Sequence, residues 1–314
     1  MTGEGASGLV VGSGDFLYDV VRPWGRLPAG WRLGLVSHVA VDAADRVYFY
    51  QRQDPPVLVF DRDGGFLTAW GSRRLGDAHG IFAGPDGHLY VCDRDAHEVL
   101  KLTPEGRVVL TLGQRGRPAL QAPFNHPADV AVAPSGNIYV ADGYGNSAVH
   151  RFSPDGRHRG SWGRPGAGPG EFTTPHGIWV DAAERVLVAD RENNRVQLFS
   201  PEGDYYGEWR DLYHPMDIYV DGTGAVYVTD QIPRLSVYAA DGRLLARGKP
   251  VAIGAHGLWG DSRGDLYLAE VGMHQVTKLV RRPRAGALAE RGASRAGAGG
   301  RKGPARHARP GGER

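Results

Sequence analysis

The feature that most constrains this chain is that it repeats itself. Six segments share one frame: SHVAVDAADRVYFYQ (37–51), HGIFAGPDGHLYVCD (79–93), ADVAVAPSGNIYVAD (128–142), HGIWVDAAERVLVAD (176–190), MDIYVDGTGAVYVTD (216–230) and HGLWGDSRGDLYLAE (256–270). Their starts lie 42, 49, 48, 40 and 40 residues apart. Each copy reads as an alternating apolar strand, a PDG, PSG or GTG turn, and a second strand rich in β-branched and aromatic residues. A third strand follows (EVLKLTPEG, AVHRFSPDG, RVQLFSPEG, RLSVYAADG), then a fourth such as FLTAWG or HRGSWG. Four short strands per period of about 40–45 residues make one blade of a β-propeller, which buries its faces only against neighbouring blades. The expectation is an all-β, six-bladed propeller over residues 30–280, with no helix. Residues 1–29 are expected to close or flank the ring.

The remainder of the sequence sets limits on function. Residues 281–314 hold 10 Lys/Arg against 2 Asp/Glu, whereas the other 280 residues hold 27 against 33. The tail is Arg/Gly/Ala-rich with almost no large apolar side chains, so disorder is expected there. A basic tail suits contact with nucleic acid or acidic surfaces, but a solvated extension without a partner is preferred. The acidic balance of the repeats makes nucleic-acid binding a secondary reading. No apolar run approaches the ~20 residues of a membrane span, so no membrane partner is expected. The first 27 residues lack the basic and apolar regions of a secretory signal. Cys92, the single cysteine, excludes an internal disulfide and a multi-cysteine zinc site. A cytoplasmic monomer is the expectation.

The frame also allows blades to be compared position by position. Its first position reads Ser37, His79, Ala128, His176, Met216 and His256, so histidine occupies alternate blades. Near the start of the innermost strand these side chains would face the central channel about 120° apart. Three imidazoles so placed can converge on one metal, leaving the open position expected of catalytic zinc. The competing explanation is packing or turn chemistry. It suffices for His126 and His214, which are off register, and for His97 and His274, which share a position with Asn146 and Asn194. It does not account for three histidines in register. Fifteen residues after the frame start stand Arg52, Arg94, Gly143, Arg191, Gln231 and Val271, with Tyr144 next in the third copy. Strand ends on the histidine face would bring Arg and Tyr beside the metal, Arg for a carboxylate and Tyr as a base. Arg94 is expected to be a surface ion-pair residue.

The repeats resemble the NHL-repeat family of six-bladed propellers. More specifically, DGYGNSAVHRFSPDG (142–156), TPHGIWVDAAERVLVADRENNRVQLF (174–199), AHGIF (78–82) and AHGLW (255–259) resemble peptidyl-α-hydroxyglycine α-amidating lyase. That resemblance implies zinc held by His79, His176 and His256, a catalytic Tyr144, and substrate-binding Arg191 and Arg52. It implies a zinc-dependent lyase that splits a peptidyl or N-acyl carbinolamide into an amide and glyoxylate. It also implies a calcium ion on the backbone carbonyls of Val39 and Ile81 and on an Asp after the third histidine. Gly257 stands at that last position, and Gly145 replaces the family's disulfide cysteine. The resemblance covers the lyase half of amidation alone, so another small carbinolamide or α-hydroxy acid derivative is an alternative substrate. Two other function classes remain. A metal-dependent propeller hydrolase of the lactonase kind usually recruits carboxylates, and the frame-start positions offer none. A non-catalytic NHL scaffold for protein or RNA leaves the alternate-blade histidines unexplained.

Overall fold

A computed structural model describes residues 6–251 and 253–283; the basic tail from residue 284 onward, for which disorder was expected, lies outside the described residues. Residues 1–281 form one compact unit. Its strands fall into six antiparallel sheets, five of four strands and one of five. Blades one to five run 36–70, 78–113, 129–162, 175–209 and 215–248, each in plain up-and-down order. Blade six takes Gly257–Gly260, Leu266–Glu270 and Gln275–Arg281, and is completed by Phe16–Val21 and Ala6–Ser13 from the other end of the chain. The ring is therefore clasped by strands of both chain ends. Its helical content among the described residues is two single 3₁₀ turns, Arg191–Asn193 and Val271–Met273. No described helix is long and apolar enough to cross a membrane.

Burial explains the strand chemistry. The second strand of every blade is buried along its whole length, as in Val47–Gln51, Val186–Asp190 and Leu266–Glu270. Both faces pack against neighbouring blades, which is why these strands are apolar runs and not alternations. Fourth strands such as Phe66–Trp70 and His158–Trp162 lie on the half-exposed rim. Each second strand ends in a fully enclosed polar side chain, Gln51, Asp93, Asp142, Asp190, Asp230 or Glu270. Five of these accept backbone N–H groups of the loop entering their blade. Asp93 takes Gly76 and Asp77, Asp142 takes Asn125, Asp190 takes Thr173, Asp230 takes Tyr213 and Gln51 takes Gly34. These bonds satisfy buried donors and fix the loop beside the residue that follows the strand.

The innermost strands line the channel, and in blades one, two, four and five their registers break at the frame start. Ala78 opposes Asp93 but Ile81 opposes Val91, so His79 and Gly80 together face one residue. Pro175 and Ile178 bracket the same bulge around His176 and Gly177. A bulge places an extra residue on one strand and re-aims its side chain. The register also orients the channel. The frame start lies beside the second strand's end, so Arg52, Arg94, Tyr144 and Arg191 share the histidines' end. Three residues further along, roughly 10 Å deeper at ~3.3 Å per residue, stand Phe82, Trp179 and Trp259. Their rings meet at centroid separations of 5.1, 4.9 and 4.9 Å, closing the channel with an aromatic plug.

Candidate metal centre

His79, His176 and His256 converge in the channel, with one ring nitrogen from each within 4.8 Å of the others. Ring centroids are 5.0, 4.7 and 4.8 Å apart, close to three-fold symmetry. Each Nδ1–H donates to a main-chain carbonyl of the next blade: His79 to Ala128 (2.6 Å), His176 to Met216 (2.8 Å) and His256 to Ser37 (2.8 Å). A carbonyl only accepts, so each Nδ1 carries the proton and each Nε2 keeps its lone pair. Metal-ligating histidines usually donate their other ring N–H to a carbonyl or carboxylate in this way, which fixes the tautomer. Charge is also disfavoured here. Burial, then the neighbouring histidines and Arg52, hold His79 well below its ordinary pKa. Burial does the same at His176, and it lowers His256 to about 3. Three neutral imidazoles that present their Nε2 lone pairs to the channel fit a Zn²⁺ ion with an open fourth position.

Tyr144 caps this triad. Its hydroxyl lies 2.9 Å from His79 Nε2 and 3.0 Å from His176 Nε2. Arg191 reaches the same oxygen, its guanidinium 3.3 Å away and 5.3 Å from the ring centroid. Arg52 donates to the Ala78 carbonyl at 3.0 Å and pairs with Asp77 at 3.2 Å, at the rim of the triad. Arg94 pairs with Asp77 and Asp95, yet it also lies 5.1 Å from the Tyr144 ring centroid. The surface role expected for Arg94 is therefore incomplete: it helps hold the tyrosine. The off-register histidines stay out of the channel. His97, His126, His214 and His274 all occupy left-handed backbone in loops, and His126 donates its N–H to His97 Nδ1.

A second triad was not evident from the frame-start residues. One residue further on, the odd-numbered blades carry His38, Asp129 and Asp217, whose ligand atoms also lie within 4.8 Å of one another. All three are at least 95% buried. Both triads line one cavity. The frame-start positions offer no carboxylate, as expected, but the next position does, so their absence at the frame start does not keep carboxylates from the histidines. The same geometry explains the His-Gly pairs of the even blades. A Cβ on Gly80 would lie 2.8 Å from Asp129 Cα, on Gly177 2.8 Å from Asp217 Cα, and on Gly257 2.7 Å from His38 Cα. Glycine is required so that the next blade's channel residue can fit.

The calcium set implied by resemblance does not fit. The Val39 carbonyl already accepts from His38 Nδ1 at 2.9 Å. Gly257 supplies no carboxylate, and His38 fills the space in which a side chain there would lie. Ile81 sits in the regular part of its strand, opposite Val91.

Comparison with known proteins agrees with the repeat structure. The NHL repeat description matches residues 124–152 and 172–199. NHL repeat-containing protein 3 of Homo sapiens is 33% identical over 292 residues, covering 81% of this chain and 84% of its own. A probable peptidyl-α-hydroxyglycine α-amidating lyase of Caenorhabditis elegans is 35% identical over 156 residues, spanning 47% of this chain and 45% of the lyase. Among solved structures, a gluconolactonase from Xanthomonas campestris superposes with a TM-score of 0.66 at 17% identity, covering 84% of this chain and 90% of that one. This last likeness is one of fold.

Proposed function

This chain belongs to the NHL-repeat family that includes NHL repeat-containing protein 3, and on that premise we propose that it is a zinc-dependent lyase cleaving the N–C bond of an N-acyl- or peptidyl-α-hydroxyglycine. The observation that carries the reading is the position of the Tyr144 hydroxyl, between two histidine Nε2 atoms and against Arg191. His79, His176 and His256 would hold the ion. Zinc supplies Lewis-acid polarisation of a substrate hydroxyl and lowers its pKa. Tyr144, in its phenolate form, takes the proton from that hydroxyl. A lone pair on the deprotonated oxygen then forms the carbonyl as the N–C bond breaks, the bonding pair leaves on the amide nitrogen, and that nitrogen takes the proton back from Tyr144. The products are a primary amide and glyoxylate. Arg191 and Arg52 bind the carboxylate and oppose the charge that develops beside it. Arg94 keeps the Tyr144 ring in place through its contact with the ring.

The test is glyoxylate release from a simple N-acyl-α-hydroxyglycine by zinc-loaded and metal-stripped protein. Zinc-dependent release that His176→Ala abolishes is the expected result. Full activity in that variant would remove the histidines from the mechanism. One observation favours a hydrolase instead, namely that Asp129 and Asp217 line the histidines' cavity. Lactone turnover without carbinolamide turnover would select that reading.

A further inference from the structure

We propose that His38, Asp129 and Asp217 form a second divalent-cation site, stacked in the channel beside the three histidines. Three observations support it. First, the His38 tautomer matches that of the other three channel histidines. Its Nδ1 donates to the Val39 carbonyl, so Nε2 is the ring atom that faces the channel and offers a lone pair once its proton is displaced. Second, the donor atoms are gathered but not satisfied. His38 Nε2 lies 3.0 Å from Asp217 Oδ2 and 4.0 Å from Asp129 Oδ1. The shorter contact is out of line for a hydrogen bond, and neither His38 Nε2 nor Asp129 Oδ1 has a hydrogen-bond partner. Buried polar atoms are rarely left so, and a group aimed at nothing marks a missing ion or water. Third, the supporting shell is built. Asp129 accepts the Ile178 N–H at 3.1 Å, and Asp217 accepts those of Ile218 and Leu258 at 2.8 and 2.6 Å. Three glycines on the preceding blades give these side chains their room.

Charge and ligand type point to the kind of ion. A neutral imidazole with two carboxylates carries two negative charges in a closed space, which a divalent cation neutralises. One nitrogen and two oxygen donors suit Zn²⁺, Mn²⁺ or Fe²⁺ better than a sulfur-seeking metal. The site differs from the calcium set in every ligand and comes from the three blades that the histidine triad leaves unused.

The experiment is metal stoichiometry on the full chain. Protein stripped of metal is equilibrated with Zn²⁺ or Mn²⁺, dialysed, and assayed for bound ion, with a thermal melt confirming that each variant is folded. Wild type should bind two equivalents, and Asp129→Asn and His176→Ala about one each. Zinc-edge anomalous diffraction from wild-type crystals gives a measurement that needs no variant, with a second peak expected between His38, Asp129 and Asp217. A single equivalent in both wild type and Asp129→Asn, or a lone peak at the histidines, overturns this site and leaves the lyase reading standing. A lone peak at the new site supports it and removes the lyase reading. No bound metal at either triad overturns both.

Discussion

Replacing Gly177 with alanine adds one methyl group at a point where the structure leaves no space. The new Cβ would lie 2.7 Å from the Met216 carbonyl oxygen and 2.8 Å from Asp217 Cα. Favourable carbon contacts begin at about 3.5 Å, so roughly 0.7 Å must come from movement. Both atoms are main chain, so no rotamer change relieves the contact, and the inner strands of blades four and five must separate. Overpacking of this kind costs about 2–3 kcal/mol, or roughly 5–10 °C in Tm for a domain of this size. The Met216 carbonyl also receives the His176 Nδ1–H at 2.8 Å. Displacing a second-shell acceptor weakens metal binding by about 10–100-fold. Gly222 is the control, since a Cβ there meets nothing within 4 Å, and Gly222→Ala should stay within about 0.5 kcal/mol of wild type. Urea unfolding and competitive zinc titration read the two effects. If Gly177→Ala matches Gly222→Ala in both, the glycines do not make room for the second triad.

Other perturbations test separate parts of the account. Tyr144→Phe should bind zinc normally and lose about 10²–10⁴-fold in kcat; wild-type glyoxylate release would exclude the hydroxyl as base. Arg195 and Asp190 form an ion pair only 1% and 0% exposed, so Arg195→Met strands a buried carboxylate and should cost about 3–5 kcal/mol. The double variant with Asp190→Asn should recover part of that loss, and a melting series that shows no recovery would count against the pair. In metal-free protein the His256 pKa is lowered to about 3 by burial, followed by repulsion from His38. Its neutral folded form is unopposed above about pH 6.5, and stability falls as pH drops from there toward 3. His38 acts oppositely: burial resists its charge, but Asp217 and Asp129 raise it to about 9, so its contribution is full below pH ~6.5 and lost as pH rises through 9. His256→Gln should therefore flatten the acid limb by about 1.4 kcal/mol per pH unit between pH 6 and 5. Denaturant curves for the two proteins that stay parallel across that range would contradict the shift.

Much of this architecture was legible because a repeat supplies its own internal comparison. Alternate-blade histidines stood out against Ser37, Ala128 and Met216. Arg52, Tyr144 and Arg191 followed from one strand-end position, and the structure brings them to the histidines' end of the channel. What the sequence concealed depends on the bulge. A regular strand sends neighbouring residues to opposite faces, so His38, Asp129 and Asp217 read as partners of the histidines pointing elsewhere. Their signal was nonetheless present, as glycine following each of His79, His176 and His256. Arg94 escaped for a different reason: its ion pairs with Asp77 and Asp95 are local, whereas its contact with Tyr144 crosses from one blade to the next. The closure of blade six by Phe16–Val21 pairs residues more than 250 positions apart, which no local pattern reports.

The aromatic plug of Phe82, Trp179 and Trp259 makes the channel a blind well. A molecule cannot thread it, so it can be read only from one end. Whatever enters must lead with a terminus and leave its body outside, where length goes unmeasured. In the proposed reaction both products leave by that same entrance.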